Sequence, residues 1–541
     1  MAKDKGLLSL IDSMVRVMKD GDPRITHDLE NEFRMTVLEH PETDEELAEI
    51  LPALVPKTPK EELRINTALD ILSWLLEELR IDMERGRKGS RERMERLQES
   101  LARHIFKEGA DPQLCAAVGR NLLESRVEIM PVIHEANRRI MFSIADDGEG
   151  HAPLEIAPLI VEAIGEMNVT DPHESLGIIL DQIGLLEPAC QIAIAGEMLA
   201  SESALLRETA ALMLFHPRQD VRSGVADILS RTKGESISPE TLRRLIISRN
   251  WFPPQIRKTL DMTISNARRA KVECAPLKGN VIHSIFATTI DGAGAQSFWI
   301  TAGAKKHVEL CNILWKQGVG VIDTFIHRLP SAKAAERFIA GLPDMMCFAE
   351  VGQDFVDRAI GCAISIGVDR GGAPHRGLLQ IAELLGTDRW KGEPLEADRE
   401  IALLRGEALE SGPAITAADA IAESAEWLGS QDFADAWFED DDQVDRVVLN
   451  AMKGRGRNRE ARAVEDILAE VLEPRRGVWQ ERLLLMTLWF KSSLRPAIPW
   501  QNMFHLAEAV ASGKPLRDIP LMRAVAEVTL DVATERSGRG K

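Results

Sequence analysis

The sequence runs to 541 residues, 45% hydrophobic and 28% charged, with a net charge of −19. At about 150 residues per domain this is room for three to four units with buried cores, which excludes a disordered or fibrous chain. Tyrosine is absent, which excludes tyrosine nucleophiles, tyrosine acid–base chemistry and tyrosine phosphorylation. The six cysteines (Cys115, Cys190, Cys274, Cys311, Cys347 and Cys362) include no Cys-x-x-Cys pair. Reduced, mostly buried thiols in a cytoplasmic protein are therefore expected rather than a disulfide or zinc framework. The longest uncharged stretches, such as 292–304, fall short of the ~18 residues a membrane helix needs, and the first residues show no secretory pattern.

The charge is unevenly spread. Residues 28–62 are acidic, as is the run Asp435, Glu439, Asp440, Asp441, Asp442 and Asp445. Residues 231–278 carry the opposite bias, and Lys453-Gly-Arg-Gly-Arg-Asn-Arg459 reads as a basic loop. The basic stripe has two readings. Clustered Arg and Lys release counterions from a polyanion, or the same residues pair with the protein's own acidic segments on a solvated helix face.

In chain order, apolar residues at three- and four-residue spacing predict helices almost throughout. Leu63, Leu69, Leu72, Leu75, Leu76 and Leu79 share one helical face, with Thr58-Pro59 as a start signal. The charge-dense residues 80–103 are expected to be an exposed turn and helix. From 110 to 270, short helices are punctuated by Asp111-Pro112, Met130-Pro131, Asp171-Pro172, Glu187-Pro188, His216-Pro217, Ser238-Pro239 and Pro253-Pro254. Proline is tolerated in a first helical turn because its missing N–H would be unpaired there, so each site predicts a helix start.

The clearest unit is 203–232, two helices around His216-Pro217-Arg218-Gln219-Asp220. Val221, Val225, Ile228 and Leu229 line one face of the second helix, and Asp220 stands where an N-cap belongs. This segment resembles a HEAT repeat, whose second helix opens with Asp-x-Val-Arg or a near variant; here Asp220-Val221-Arg222 lacks the spacer. The resemblance is good over 187–232 and degenerate over 110–270. It implies an α-solenoid of stacked units with a concave binding surface, and it names no ligand.

Residues 276–330 break the rhythm. The β-branched run 281–290, the turn Asp291-Gly292-Ala293-Gly294, the stretch 296–301 and Gly318-Val-Gly-Val-Ile-Asp323 read as extended, while residues 307–315 fit strand or helix, with strand favoured by the extended run behind them; together they predict three or four strands of a small antiparallel sheet. After 330 helices return: one from Ser331, one over 353–366, a loop over 367–374, helix over 395–427 and a buried helix through 483–490. The last residues, 536–541, read as a frayed tail. The expected fold is mainly α, an irregular HEAT-like helical-repeat array with a small α+β antiparallel-sheet insert. Its regions would be 1–109, 110–275, 276–330 and 331–541.

Phosphate-loop, zinc-protease, nucleophile-elbow and complete calcium-loop motifs are all missing. Asp291-Gly292-Ala293-Gly294 is better read as a strand-connecting turn than as a dinucleotide loop, and residues 146–151 as a helix-linking loop. The one constellation with metal-binding chemistry is His283, Asp291, His307, Asp323 and His327. Imidazole and carboxylate would suit zinc or another divalent cation if adjacent strands brought them together. Against it stand a spacing of no known ligand rhythm and the apolar setting of His283, typical of a core histidine.

The leading functional expectation is an intracellular scaffold that binds another protein. Its groove would be floored by Arg207, Arg222, Arg243, Arg244 and Arg249 and would meet an acidic partner surface. No cofactor is expected. The alternatives are a metal-dependent hydrolase with its site in 276–330, and nucleic-acid backbone binding along the basic stripe, which the net charge disfavours. No membrane partner is expected.

Overall fold

The computed structural model describes residues 7–20, 40, 42–56, 61–145, 158, 161–162, 169–304, 307–341, 347–410, 415–430, 432–434, 436–453 and 458–539. Thr58-Pro59, the loop 146–151, Asp435, residues 454–457 and much of the first acidic stretch lie outside them. The protein is mainly α with one small antiparallel sheet. It divides into two compact units, Met1–Ala210 and Ala211–Lys541, so the division falls inside the stretch 110–275 read as one array. No helix among the described residues is long and apolar enough to cross a membrane.

The first unit holds α1 (Leu7–Asp20), α2 (Thr43–Ile50), α3 (Glu62–Glu84), α4 (Ser90–His104), α5 (Pro112–Glu124), α6 (Pro131–Ala145), α7 (Pro172–Ile183) and α8 (Pro188–Ala200). Four of them begin at a proline, with Asp111 and Asp171 capping the N–H groups just beyond it. The charge-dense stretch 80–103 departs from expectation. Met94, Leu97 and Leu101 on α4 are fully buried beside Leu47, Leu72 and Val118. An apolar stripe at helical spacing survives among the charges. Arg93 is drawn in with it: its Nε and Nη2 donate to the Asp44 carboxylate at 2.6 and 2.7 Å. That forked pair pins α2 to α4.

After α9 (Ala204–Leu212) come α10 (Gln219–Arg231), α11 (Pro239–Ser248) and α12 (Pro254–Arg269). The His216-Pro217 site is the exception to the proline rule, because α10 begins two residues later. Its N-cap position is Arg218, and the Asp220 carboxylate instead accepts from the Arg218 guanidinium and the Val221 N–H. Four strands follow, β1 (Ile282–Thr288), β2 (Ala295–Ala304), β3 (His307–Lys316) and β4 (Gly320–Leu329), then α13 (Ala332–Gly341) and β5 (Phe348–Glu350). The sheet order is β4-β3-β2-β1-β5, every pair antiparallel. The fifth strand is a three-residue run without strand patterning, and pairing with β1 makes it one.

Side chains alternate between the two sheet faces. Phe286, Trp299, Leu310 and Leu329 point to one face, where α13 packs with Ala335 and Ile339. Phe298 points to the other and meets Phe355 of α14 (Gln353–Asp369) edge to face. The remaining helices are α15 (Gly377–Leu385), α16 (Ala397–Glu410), α17 (Ala417–Glu423), α18 (Asp442–Met452), α19 (Arg459–Ile467), α20 (Arg476–Ser492), α21 (Trp500–Ala511) and α22 (Pro520–Arg539), the last extending into the expected tail.

The C-terminal helices are joined to the sheet by buried indoles. Trp489 Nε1 donates to Ala287 O at 3.0 Å and Trp437 Nε1 to Ile290 O at 2.7 Å. Gly292, in the turn after β1, lies so close to this block that a Cβ would stand 2.0 Å from Ala436 O. The turn therefore needs glycine at this position.

Candidate functional site

The five arginines expected to floor a groove are engaged within the protein. In the first unit, Arg207 donates to the carbonyls of Ser201 and Glu202. Arg222 is 3% exposed and donates to the carbonyls of His216, Pro217 and Gly371. Arg243 and Arg244 both bind the Glu383 carboxylate on α15, with side-chain exposures of 16%, 11% and 14% for the three groups. Arg249 reaches Asp261 at 2.7 Å. These five arginines thus engage carboxylates and backbone carbonyls of their own chain, and burial holds the Arg222 guanidinium below its usual range.

The His/Asp constellation is dispersed by strand register. His283 Nε2 is 2.9 Å from Gly303 O, and Asp291 accepts from the Ala295 N–H at 2.8 Å in the turn at the other end of β2. His307 sits exposed opposite Ala304. His327 pairs with Leu310, three residues along β3 from His307, so the two imidazoles face opposite sides of the sheet. Asp323 and His327 share a face but stand four residues apart, roughly 13 Å at about 3.3 Å per residue. Hairpin connections alternate between sheet ends, so residues near in sequence are carried apart.

What Asp323 does meet is His375, outside the expected set. Its carboxylate accepts from the Thr324 N–H at 2.7 Å and lies 4.0 Å from His375 Nε2, while His375 Nδ1 is 2.7 Å from Thr324 Oγ1. Asp323 and Thr324 point to opposite faces, so an imidazole touching both lies along the outer edge of β4. The glycine-rich loop ahead of His375 was the only sequence signal for this.

Among the described residues one group could gather ligands around a cation: Glu45 and Glu49 of α2 with His104 of α4. It is a surface cluster in which Arg103 already pairs with Glu45 at 3.0 Å. None of the cysteines is in a disulfide, and burial pushes the thiols of Cys115 and Cys362 up to about 11 and that of Cys311 up to about 12, which leaves these three un-ionised and poor nucleophiles.

A concave site lies where the sheet face is only half covered. α13 packs over β3 and β4, and beside it opens a cleft of about 710 Å³, within the ~300–1,000 Å³ of ligand sites. Phe286, Val308, Ile339 and Phe348 make its apolar wall. At its floor the hydroxyls of Ser284 and Thr301 are 2.7 Å apart. Glu336, Glu350 and Arg495 stand at the rim, next to Leu494, which is 67% exposed. Leu494 is held there by its N–H, which donates to Glu350 O at 3.0 Å. No local pattern marks this cleft, because β5, α13 and residues 494–495 come from separate stretches.

Two stretches match Y4lR domain models. Residues 187–271 match the Y4lR second domain and residues 400–534 the Y4lR C-terminal helical domain. The first match contains the helices read as HEAT-like; between the two lie the sheet and α13. A curated relative, the uncharacterized protein y4lR of Sinorhizobium fredii, is 26% identical over 342 residues, 62% of this chain. The chain spans 64% of that relative's length. No solved structure matches.

Proposed function

We propose that this chain works by binding, holding a short segment of a partner protein in the cleft between α13 and the β1–β2 half of the sheet. The observation that carries this reading is an apolar cleft of about 710 Å³ with charges at its rim and Leu494 left 67% exposed beside it. Apolar side chains held open in a concavity favour a complementary apolar group. The arginine stripe is a weaker recognition surface, since Arg243 and Arg244 already share a carboxylate. The HEAT-like reading of 187–232 fits the same role as a framework: α10 to α12 of the second unit are successive short helices.

The test is to fill the cleft. Ala340 lines it from the exposed side of α13, and Ala402 is equally exposed on α16. Ala340→Trp should abolish a stoichiometric partner captured by the wild-type chain, while Ala402→Trp retains it and both variants melt within about 2 °C of wild type, as surface changes do. Equal capture by all three chains would contradict the proposal.

A further inference from the structure

In the first unit, α4 ends on an imidazole with one ring nitrogen unused. The His104 ring is half-buried, and its Nε2 is shut off from solvent with no hydrogen-bond partner among the described residues. The Glu49 carboxylate lies 3.9 Å from it, too far for a hydrogen bond. A buried polar atom left unpaired is costly, and an ion held between it and a carboxylate removes that cost. Glu49 brings Glu45 with it, because residues four apart share one face of α2. One ligand atom from each of the three lies within 4.8 Å of the other two, and no other group of His, Cys, Asp or Glu among the described residues meets that condition.

We propose that Glu45, Glu49 and His104 bind a divalent first-row transition ion such as Zn²⁺, which clamps α2 to the end of α4. An imidazole with two carboxylates is a zinc-type donor set, whereas magnesium and calcium take oxygen ligands throughout. Bonds of about 2.0–2.1 Å to a tetrahedral ion would set the ligand atoms roughly 3.3 Å apart. The present spread therefore needs to close by no more than about 1.5 Å. Glu45 and Glu49 are 60% and 57% exposed, which leaves their side chains room to swing. His104 is the last residue of α4, where the helix-end carbonyls carry negative partial charge and favour a cation. Arg103 works the other way, since its guanidinium holds one Glu45 oxygen at 3.0 Å. The Arg93–Asp44 fork already ties the first turn of α4 to α2; the ion would tie the last.

The experiment uses the full chain, stripped with EDTA and titrated with ZnCl₂ in a calorimeter. His104→Gln and Glu49→Gln should each weaken the tightest site at least about tenfold, the loss of one metal ligand. Arg103→Gln should tighten it about two- to fivefold, because a surface ion pair no longer competes for Glu45. Saturating Zn²⁺ should raise the melting temperature of wild type and of Arg103→Gln and leave that of His104→Gln unchanged. Mg²⁺ or Ca²⁺ in roughly tenfold excess should not displace the ion. Arg103 and Glu49 are exposed and His104 is half-buried, so circular dichroism of the variants should match wild type.

No tight Zn²⁺ binding by wild type, equal affinity in wild type and both ligand variants, or displacement by Mg²⁺ at that excess would each overturn the assignment. Should His104→Gln fail to fold, Glu49→Gln and Arg103→Gln still decide it. A solvated ion-pair patch without a metal site predicts no change in Zn²⁺ affinity for either.

Discussion

Glu383→Gln is the sharpest probe of how this protein uses its basic stripe. In the folded chain the Glu383 carboxylate faces both Arg243 and Arg244, and all three side chains are less than one-fifth exposed. Removing the one anion leaves two guanidiniums close together in a poorly hydrated site. Breaking a buried pair from one side costs about 3–5 kcal/mol; some solvent access here argues for the lower end, ~3 kcal/mol. At roughly 2 °C per kcal/mol for a unit of this size, the melting temperature should fall by about 6 °C. Replacing Arg244 by Met in the Glu383→Gln background should recover part of that loss, since it removes one of the stranded charges. The assay is differential scanning fluorimetry followed by urea unfolding of the four members of the cycle. A Glu383→Gln chain that melts within 1 °C of wild type would refute internal neutralisation and return the stripe to the surface available for a ligand.

Three further outcomes follow from local packing and burial. His216 is 2% exposed, and burial together with the nearby Arg222 holds its pKa down at about 4, against 6.5 for a free imidazole. The folded chain thus favours the neutral ring. That contribution is complete above pH 6.5 and is lost as pH falls towards 4, amounting to about 2 kcal/mol already at pH 5. His216→Asn should remove this part of the decline between pH 7 and 5 in urea unfolding; parallel declines in both chains would contradict it. Gly292→Ala should destabilise by about 2 kcal/mol or more, because the added methyl would stand 2.0 Å from Ala436 O. Gly406→Ala on α16, with open space around it, should raise the melting temperature slightly.

The elements that could be read from the sequence are those whose signal is local. Proline after Asp or Ser marked the starts of α5, α7 and α11, and β-branched runs with glycine turns between them marked three or four strands, because both act within one turn or one strand. Elements created by their neighbours escaped. Phe348–Glu350 becomes a strand only because β1 offers an open edge, and α4 enters the core through three apolar residues hidden among charges. The site was the least legible part. His283, Asp291, His307, Asp323 and His327 looked like a set because they are close in sequence, and antiparallel register separates them. The arginines looked available because their partner, Glu383, lies some 140 residues away in the chain. The cleft was invisible because it is built from stretches 200 residues apart, and no single one of them carries a motif.

The most direct measurement is site-specific photo-crosslinking from within the cleft, with benzoylphenylalanine replacing Ala340 and, as a control, Ala402, in the chain's own cell extract. The account predicts one dominant adduct from position 340, mapping by mass spectrometry to one short segment of a single partner, and none from position 402. Adducts of equal yield from both positions, or none from 340 while the wild-type chain still captures its partner, would contradict the claim that this cleft is where the protein binds.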